Sequence, residues 1–372
     1  HIFKIKYPLL AKDEVICMVG DGLQMGNWDT KNPMLLGKEG DGWTIKLNLH
    51  HAEFPMGYKY GVFDKKKKEF VRFEEGDNRI CFDAALDDEC IIMQDGFARL
   101  PNNTWKGAGV AIPVFSLRSK ESFGIGEFTD LHLLVDWAHK TGLKMIQLLP
   151  INDTTATGTN EDSYPYAAIS AFALHPIYIN LFETAGKSIH HLDEKLKKKR
   201  KHLNESADVK YEEVLHFKMA VLRDIFEESG KKFFERKDFQ IFFDENKTWL
   251  KPYAAFCYLR DKYKTADSEK WTLHQKYEAS EIEQFFQPGS EEYTDVIFHC
   301  FVQYHLHLQL KKAVAYAHKK QIILKGDIPI GVYRYGCDAW MSPDLFNMDT
   351  QSGAPPDDFA AKGQNWGFPT YN

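Results

Sequence analysis

The chain has 372 residues, 44% of them hydrophobic, which is enough for more than one core. A net charge of −6 with 27% charged residues argues against a nucleic-acid binder, which would show a basic face. No apolar run reaches the ~18 residues of a membrane span, and the visible start at His1 shows no signal-peptide pattern. The cysteines (Cys17, Cys81, Cys90, Cys257, Cys300 and Cys337) include no C-x-x-C pair. They read as buried free thiols of a reducing, cytoplasmic setting.

Residues 1–98 read as all-β. IFKIKY, EVICMVG, WTIKLNL, YKYGVF, EFVRF and ECIIM are short runs rich in β-branched and aromatic residues, punctuated by Gly, Asn and Asp. Their spacing predicts a β-sandwich. A Gly-, Asn- and Pro-containing linker is expected at 99–107. Then the pattern changes. AGVAIPVF (108–115) predicts a buried strand, FTDLHLLVDWAHKTG (128–142) an amphipathic helix ended by Gly142, and KMIQLLPI (144–151) a second buried strand. Strand, helix, strand at this spacing is a βα repeat with a parallel sheet, hence an α/β fold. From about 185 to 320 the chain reads as charged helices; the basic run Lys195–Lys201 reads as a solvated face. QIILKGDIPIGV (321–332) predicts a third buried strand, and the Gly- and Pro-rich tail a long loop. Three parallel strands fall short of the eight that close a barrel, so further strands are expected after Asn372.

Several constellations carry chemistry. Trp28 sits in a Gly-Asn turn, where its ring has a sugar-stacking reading beside the structural one. Lys59 and Asn78 have hydrogen-bonding readings of the same kind, and Phe73 supplies a second aromatic. Trp43, before an alternating run, reads as core. Gly124-Ile-Gly126 is half of a dinucleotide fingerprint without its context; the glycines read as shaping a βα loop. After the second strand, a loop carries Asp162, Tyr164 and Tyr166. Asp327 follows the third strand, where an acid is costly unless paired or used. The tail holds Asp357, Asp358, Phe359, Gln364 and Trp366. His305 and His307 on one helix cannot share a face, so they do not read as a metal site.

MGNWD, YKY and VRFEEGDNR, in this order, resemble the starch-binding modules of carbohydrate-binding module family 20. Phe73 departs from the Trp the family often has there, which gives a weaker stacking surface. LLP, DSYPY with SAF, KGDIPIGV, and GAPPD with GQNWG resemble glycoside hydrolase family 77, the amylomaltases, and within it the plant-type cytosolic form with starch-binding modules ahead of the barrel. The resemblance implies a starch-binding β-sandwich followed by the first part of a TIM (β/α)8 barrel at 108–372, with a helical subdomain inserted at about 185–300. It implies 4-α-glucanotransferase activity by retaining double displacement on α-glucans: maltose, maltodextrin, glycogen or starch. Carried over by motif, Tyr166 packs on the donor glucose, Asp327 lies near the same sugar, and Phe359, Gln364 and Trp366 belong to a substrate-covering loop. Asp162 and Asp357 join the substrate-binding set. In the module, Trp28, Lys59, Phe73 and Asn78 form the glucan face. The chemistry calls for no cofactor or metal. The family's R-I-D-H nucleophile segment is missing from these residues, so no catalytic residue is expected in this chain; nucleophile and acid are expected after Asn372. Taken literally, the 372 residues also fit a non-catalytic glucan-binding protein.

Overall fold

Alternation in IFKIK puts Phe3 and Ile5 on one face of strand β1 (Ile2–Lys6), where both are buried. The computed structural model describes residues 1–7, 10–86, 89–99, 107–186, 193–229 and 233–372. It divides into two units, His1–Lys106 and Gly107–Asn372. The first unit continues with β2 (Glu14–Gly20), β3 (Met34–Leu35), β4 (Gly37–Glu39), β5 (Gly42–Lys46), β6 (Met56–Asp64), β7 (Glu69–Phe73), β8 (Arg79–Cys81) and β9 (Ile92–Phe97). One sheet has the order β4-β5-β1-β9; the other runs β3-β2-β6-β7, with β8 also pairing to β6. Phe3, Ile5 and Trp43 from one sheet meet Ile16, Met18, Tyr58 and Tyr60 from the other in a single core.

The last strand of this unit lies later than ECIIM suggests. It covers Ile92–Phe97 and runs parallel to β1, with a register shift between Lys4 and Lys6. Gly96, at φ +64°, adopts the left-handed backbone that the bulge requires. Asp95 ties the strand inward, accepting hydrogen bonds from the Tyr58 and Tyr60 hydroxyls. Asp95 and Gly96 are therefore part of the sheet. The linker expected at 99–107 lies, between Arg99 and Gly107, outside the described residues.

In the second unit, β10 (Gly109–Ile112), β11 (Met145–Leu148) and β12 (Ile323–Lys325) form a parallel sheet in that order. The helices are α1 (Leu131–Lys140), α2 (Leu181–Ala185), α3 (Asp193–Asn204), α4 (Tyr211–Ser229), α5 (Lys237–Tyr263), α6 (Ala279–Phe285), α7 (Tyr293–Lys319) and α8 (Cys337–Met341). The α2–α7 helices fall between β11 and β12 in sequence. Strand β12 is far shorter than the expected 321–332 run, because Gly326 and Pro329 break the extended ladder. The tail is more regular than expected. β13 (Phe346–Asn347) pairs with β16 (Thr370–Tyr371), and β14 (Gly353–Ala354) with β15 (Gln364–Asn365), both antiparallel.

Helix α3 keeps Leu196 and Leu203 buried while Lys197, Lys198 and Lys201 face solvent. Gly126 lies against the Val114 carbonyl, where a Cβ would come within 1.9 Å. Next to it, Glu127 and Lys218 form a fully buried ion pair at 2.6 Å. Lys218 also donates to the Ile177 and Ile179 carbonyls, and Asn180 donates to Glu127. Burial raises the Glu127 carboxyl and lowers the Lys218 ammonium from their usual values. His305 packs on Phe233 and Phe301, and His307 on Phe242, so the two rings point to different neighbours. All six cysteines are unpaired; five are buried, and Cys90 is exposed, contrary to expectation. Among the described residues, no helix is long and apolar enough to cross a membrane.

Candidate functional site

Along β6, the buried Tyr58 and Tyr60 alternate with Gly57, Lys59 and Gly61 on the opposite face. The glycines admit aromatic rings to the strand. A Cβ at Gly61 would lie 2.5 Å from Phe70 Cε2, and one at Gly57 would lie 3.7 Å from Trp28 Cζ2. Trp28 sits at φ +60° in its turn. Its indole N–H donates to Asp21 Oδ1 at 2.7 Å, and Asp21 Oδ2 accepts the Gly57 N–H at 2.5 Å. One carboxylate thus fixes the ring to the strand. Lys59 Nζ donates to the Gly76 carbonyl. Phe73 stands opposite Gly61 in the ladder and packs on Phe70 at 4.5 Å. Asn78 is exposed, just before Arg79, which donates to both oxygens of the buried Glu74. Burial opposes the Glu74 charge, but the hydrogen bonds from Arg79 and the Arg99 N–H hold its carboxyl below the usual range. Trp28, Lys59 and Phe73 therefore border one strand face, with Asn78 at the start of the neighbouring β8. Asp21, Phe70 and Glu74 escaped the sequence reading. The strand-end position of Asp21 and the two phenylalanines of EFVRF were the available signals.

In the second unit, the chain brings Tyr166 and Asp327 together. Tyr166 lies in the loop after β11 and Asp327 two residues beyond β12; these strands pair directly. The Tyr166 hydroxyl donates to Asp327 Oδ2 at 3.2 Å. Burial and the Asp327 carboxylate push the phenol above its usual range, so it stays protonated and donating. Tyr164 stands beside it, with ring centroids 5.6 Å apart. Both residues lie past the C-terminal ends of parallel strands, where α/β sheets build their sites.

Asp162 is turned inward and is 5% exposed. Its oxygens accept hydrogen bonds from the Thr157 and Gly158 N–H groups and the Thr157 hydroxyl. Burial raises its carboxyl against the pull of these bonds. Its geometry is that of a brace for the loop that presents Tyr164 and Tyr166. In the tail, Asp357 Oδ1 accepts from the Phe359 and Ala360 N–H groups and closes a turn. Phe359, at the tip, is 99% exposed. The Trp366 indole donates to Gln364 Oε1 at 2.9 Å. Tyr371 anchors this ribbon to the segment after β12 by donating to the Ile330 carbonyl, and Arg334 donates to the Met348 and Thr350 carbonyls. Among the described residues, no hydrogen bond or ring contact joins Asp357, Phe359, Gln364 or Trp366 to Tyr166 or Asp327. The expected substrate set thus falls into the Tyr166–Asp327 pair, the inward-turned Asp162 and a separate ribbon.

Comparison with known proteins covers both units. A family described as starch binding domain matches residues 2–85. A 4-alpha-glucanotransferase DPE2 from Oryza sativa subsp. japonica is 40% identical over the whole chain, which covers 39% of that relative. A 4-alpha-glucanotransferase from Chlamydia caviae is 34% identical over 71% of the chain and 48% of the relative. The chain therefore spans about half the length, or less, of these relatives. Among solved structures, the amylomaltase from Streptococcus agalactiae in complex with acarbose superposes with a TM-score of 0.58 at 25% identity, covering 72% of this chain and 53% of that one. The family described as 4-alpha-glucanotransferase matches residues 112–372, well over half of the sequence, and the chain belongs to this family, glycoside hydrolase family 77.

Proposed function

We propose that the protein is a 4-α-glucanotransferase that moves α-1,4-linked glucosyl units from maltose or maltodextrin to a glucan acceptor such as glycogen or starch. The Tyr166–Asp327 pair past the ends of adjacent parallel strands, in a chain of this family, is the observation that carries this reading. In it, Tyr166 packs on the donor glucose, and Asp327, with one oxygen taken by Tyr166, offers the other to a sugar hydroxyl. The consecutive order of β10, β11 and β12 supports the first part of a TIM barrel. The helices between β11 and β12 support an inserted subdomain. Residues 1–98 act as the starch-binding module through Trp28, Lys59, Phe73 and Asn78. The six unpaired thiols support a cytoplasmic setting.

A retaining transfer needs two carboxylates about 5–5.5 Å apart, one nucleophile and one acid. The nucleophile forms a covalent glucosyl-enzyme; the acid protonates the leaving oxygen and then takes the proton of the incoming hydroxyl. In our reading both lie in sequence after Asn372. The 353–372 ribbon, with Phe359, Gln364 and Trp366, covers the glucan and keeps water from the intermediate, which favours transfer over hydrolysis.

Incubating the full-length protein with maltose and glycogen tests the reading. Glucose with lengthened glycogen chains is the expected result. Glucose alone means a hydrolase, and no change leaves a glucan-binding protein. Phe359→Gly in the full-length enzyme is expected to shift products toward hydrolysis; an unchanged ratio removes the covering role.

A further inference from the structure

Away from the Tyr166–Asp327 pair and the module, helices α5, α6 and α7 border an open cavity of about 250 Å³. Its walls are aromatic: Phe234, Phe243, Phe286 and Tyr293 are each partly exposed, over a floor of buried Phe239 and Ile297. Phe243 and Phe286 stand 6.1 Å apart at 51°, and Phe234 and Tyr293 6.4 Å apart at 59°. Such rings offer flat apolar faces beside polar edges. Lys251 Nζ lies 5.7 Å from the Phe243 centroid and 5.4 Å from the Phe286 centroid. It donates to both oxygens of Glu283, at 2.8 and 2.6 Å.

Three properties select the ligand. The Lys251–Glu283 pair neutralises itself, so the cavity offers no net charge to an anion or a cation. Among the described residues, no hydrogen bond engages the side-chain amide of Gln287 or the Tyr293 hydroxyl, which leaves donors and acceptors for a neutral polar guest. The volume falls below the ~300–1,000 Å³ of sites that enclose a drug-sized molecule, so only one or two rings of a longer chain fit. A neutral chain of hydroxyl-rich rings with apolar C–H faces satisfies all three.

We propose that this cavity is a further glucan-binding site, holding one or two glucosyl units of an α-1,4-glucan on Phe243 and Phe286, with Gln287 and Tyr293 bonding their hydroxyls. The assignment of α-glucan rests on the function proposed above. Such a site tethers a long substrate at a second point and raises its effective concentration at the Tyr166–Asp327 pair.

Hydrogen–deuterium exchange of the full chain carrying Trp28→Ala and Lys59→Ala, with and without maltoheptaose, tests this, because the module face is then silenced. Peptides from 237–251 and 279–297 are expected to gain protection. Gln287→Ala, on the surface, is expected to weaken that protection about threefold in apparent Kd, and Phe286→Ala about tenfold. Protection around Tyr166 and Asp327 without any at 237–251 or 279–297 overturns this proposal and leaves the glucan reading standing. Protection in neither place counts against both. Protection at 237–297 that neither variant alters also overturns it, since the sugar then sits elsewhere. Circular dichroism shows whether Phe286→Ala is folded; if it is not, Gln287→Ala decides.

Discussion

The two candidate glucan faces are built in opposite ways. The module face gathers Trp28, Lys59 and Phe73 around a single strand, and Asp21 locks the Trp28 ring to the backbone of Gly57. The second face joins Tyr166 to Asp327 across 161 residues, through the pairing of two short strands separated by a large helical segment. The first face rests on neighbours in a ladder; the second exists only if the helical segment folds and brings β12 beside β11. Buried charge follows the same division. The module's Glu74–Arg79 pair is anchored within five residues. The Glu127–Lys218 pair holds together segments far apart in sequence, with both side chains wholly excluded from water.

Removing Lys218 strikes the second unit hardest. Lys218→Ala leaves Glu127 buried without its cation, which costs about 3–5 kcal/mol. Urea unfolding of the second unit, followed by its hydrogen exchange, is expected to shift by that amount while module peptides stay as they were. A loss below about 1 kcal/mol means the pair does not staple this unit.

Acid separates the units next. Burial lowers His175 from 6.5 to about 4, and its ring bonds the Tyr211 hydroxyl. Burial likewise lowers His305 to about 3. A histidine with a depressed folded pKa contributes its full stability above pH 6.5, and that contribution is lost as pH falls toward the folded value. For His175 the loss between pH 6.5 and 4 is on the order of 3 kcal/mol. The module has no buried histidine among its described residues. The second unit is therefore expected to lose urea resistance over this window, and His175→Gln to flatten its slope; an equal slope in the variant removes the assignment.

Two smaller changes probe the module. Gly61→Ala forces Phe70 or the Arg72 backbone to move and is expected to cost about 1–3 kcal/mol in thermal stability. A neutral result means Phe70 swings aside freely. Asp21→Ala frees both the Trp28 indole and the Gly57 N–H, while the cross-strand ladder of β6 stays in place. It is expected to weaken maltoheptaose binding by the module about threefold, or ~0.6 kcal/mol; unchanged affinity means the ring is held by packing alone.

Much of this architecture is legible in the chain itself. Period-two alternation in IFKIK and EFVRF, and the strand–helix–strand pattern from 108 to 151, mark elements that local sterics and burial produce wherever the chain goes. The ordered motifs also locate Trp28, Lys59, Tyr166 and Asp327. Three things were decided only by tertiary structure. Asp95 and Gly96 joined a strand, because two core tyrosines needed an acceptor and a bulge let the strand follow β1. Asp162 turned inward, because backbone N–H groups of its own loop claimed its carboxylate. The tail became paired ribbons, because Tyr371 and Arg334 found carbonyls across a fold in the chain. Each outcome depends on which hydrogen-bonding partner comes within about 3 Å, a distance that periodicity and composition do not encode.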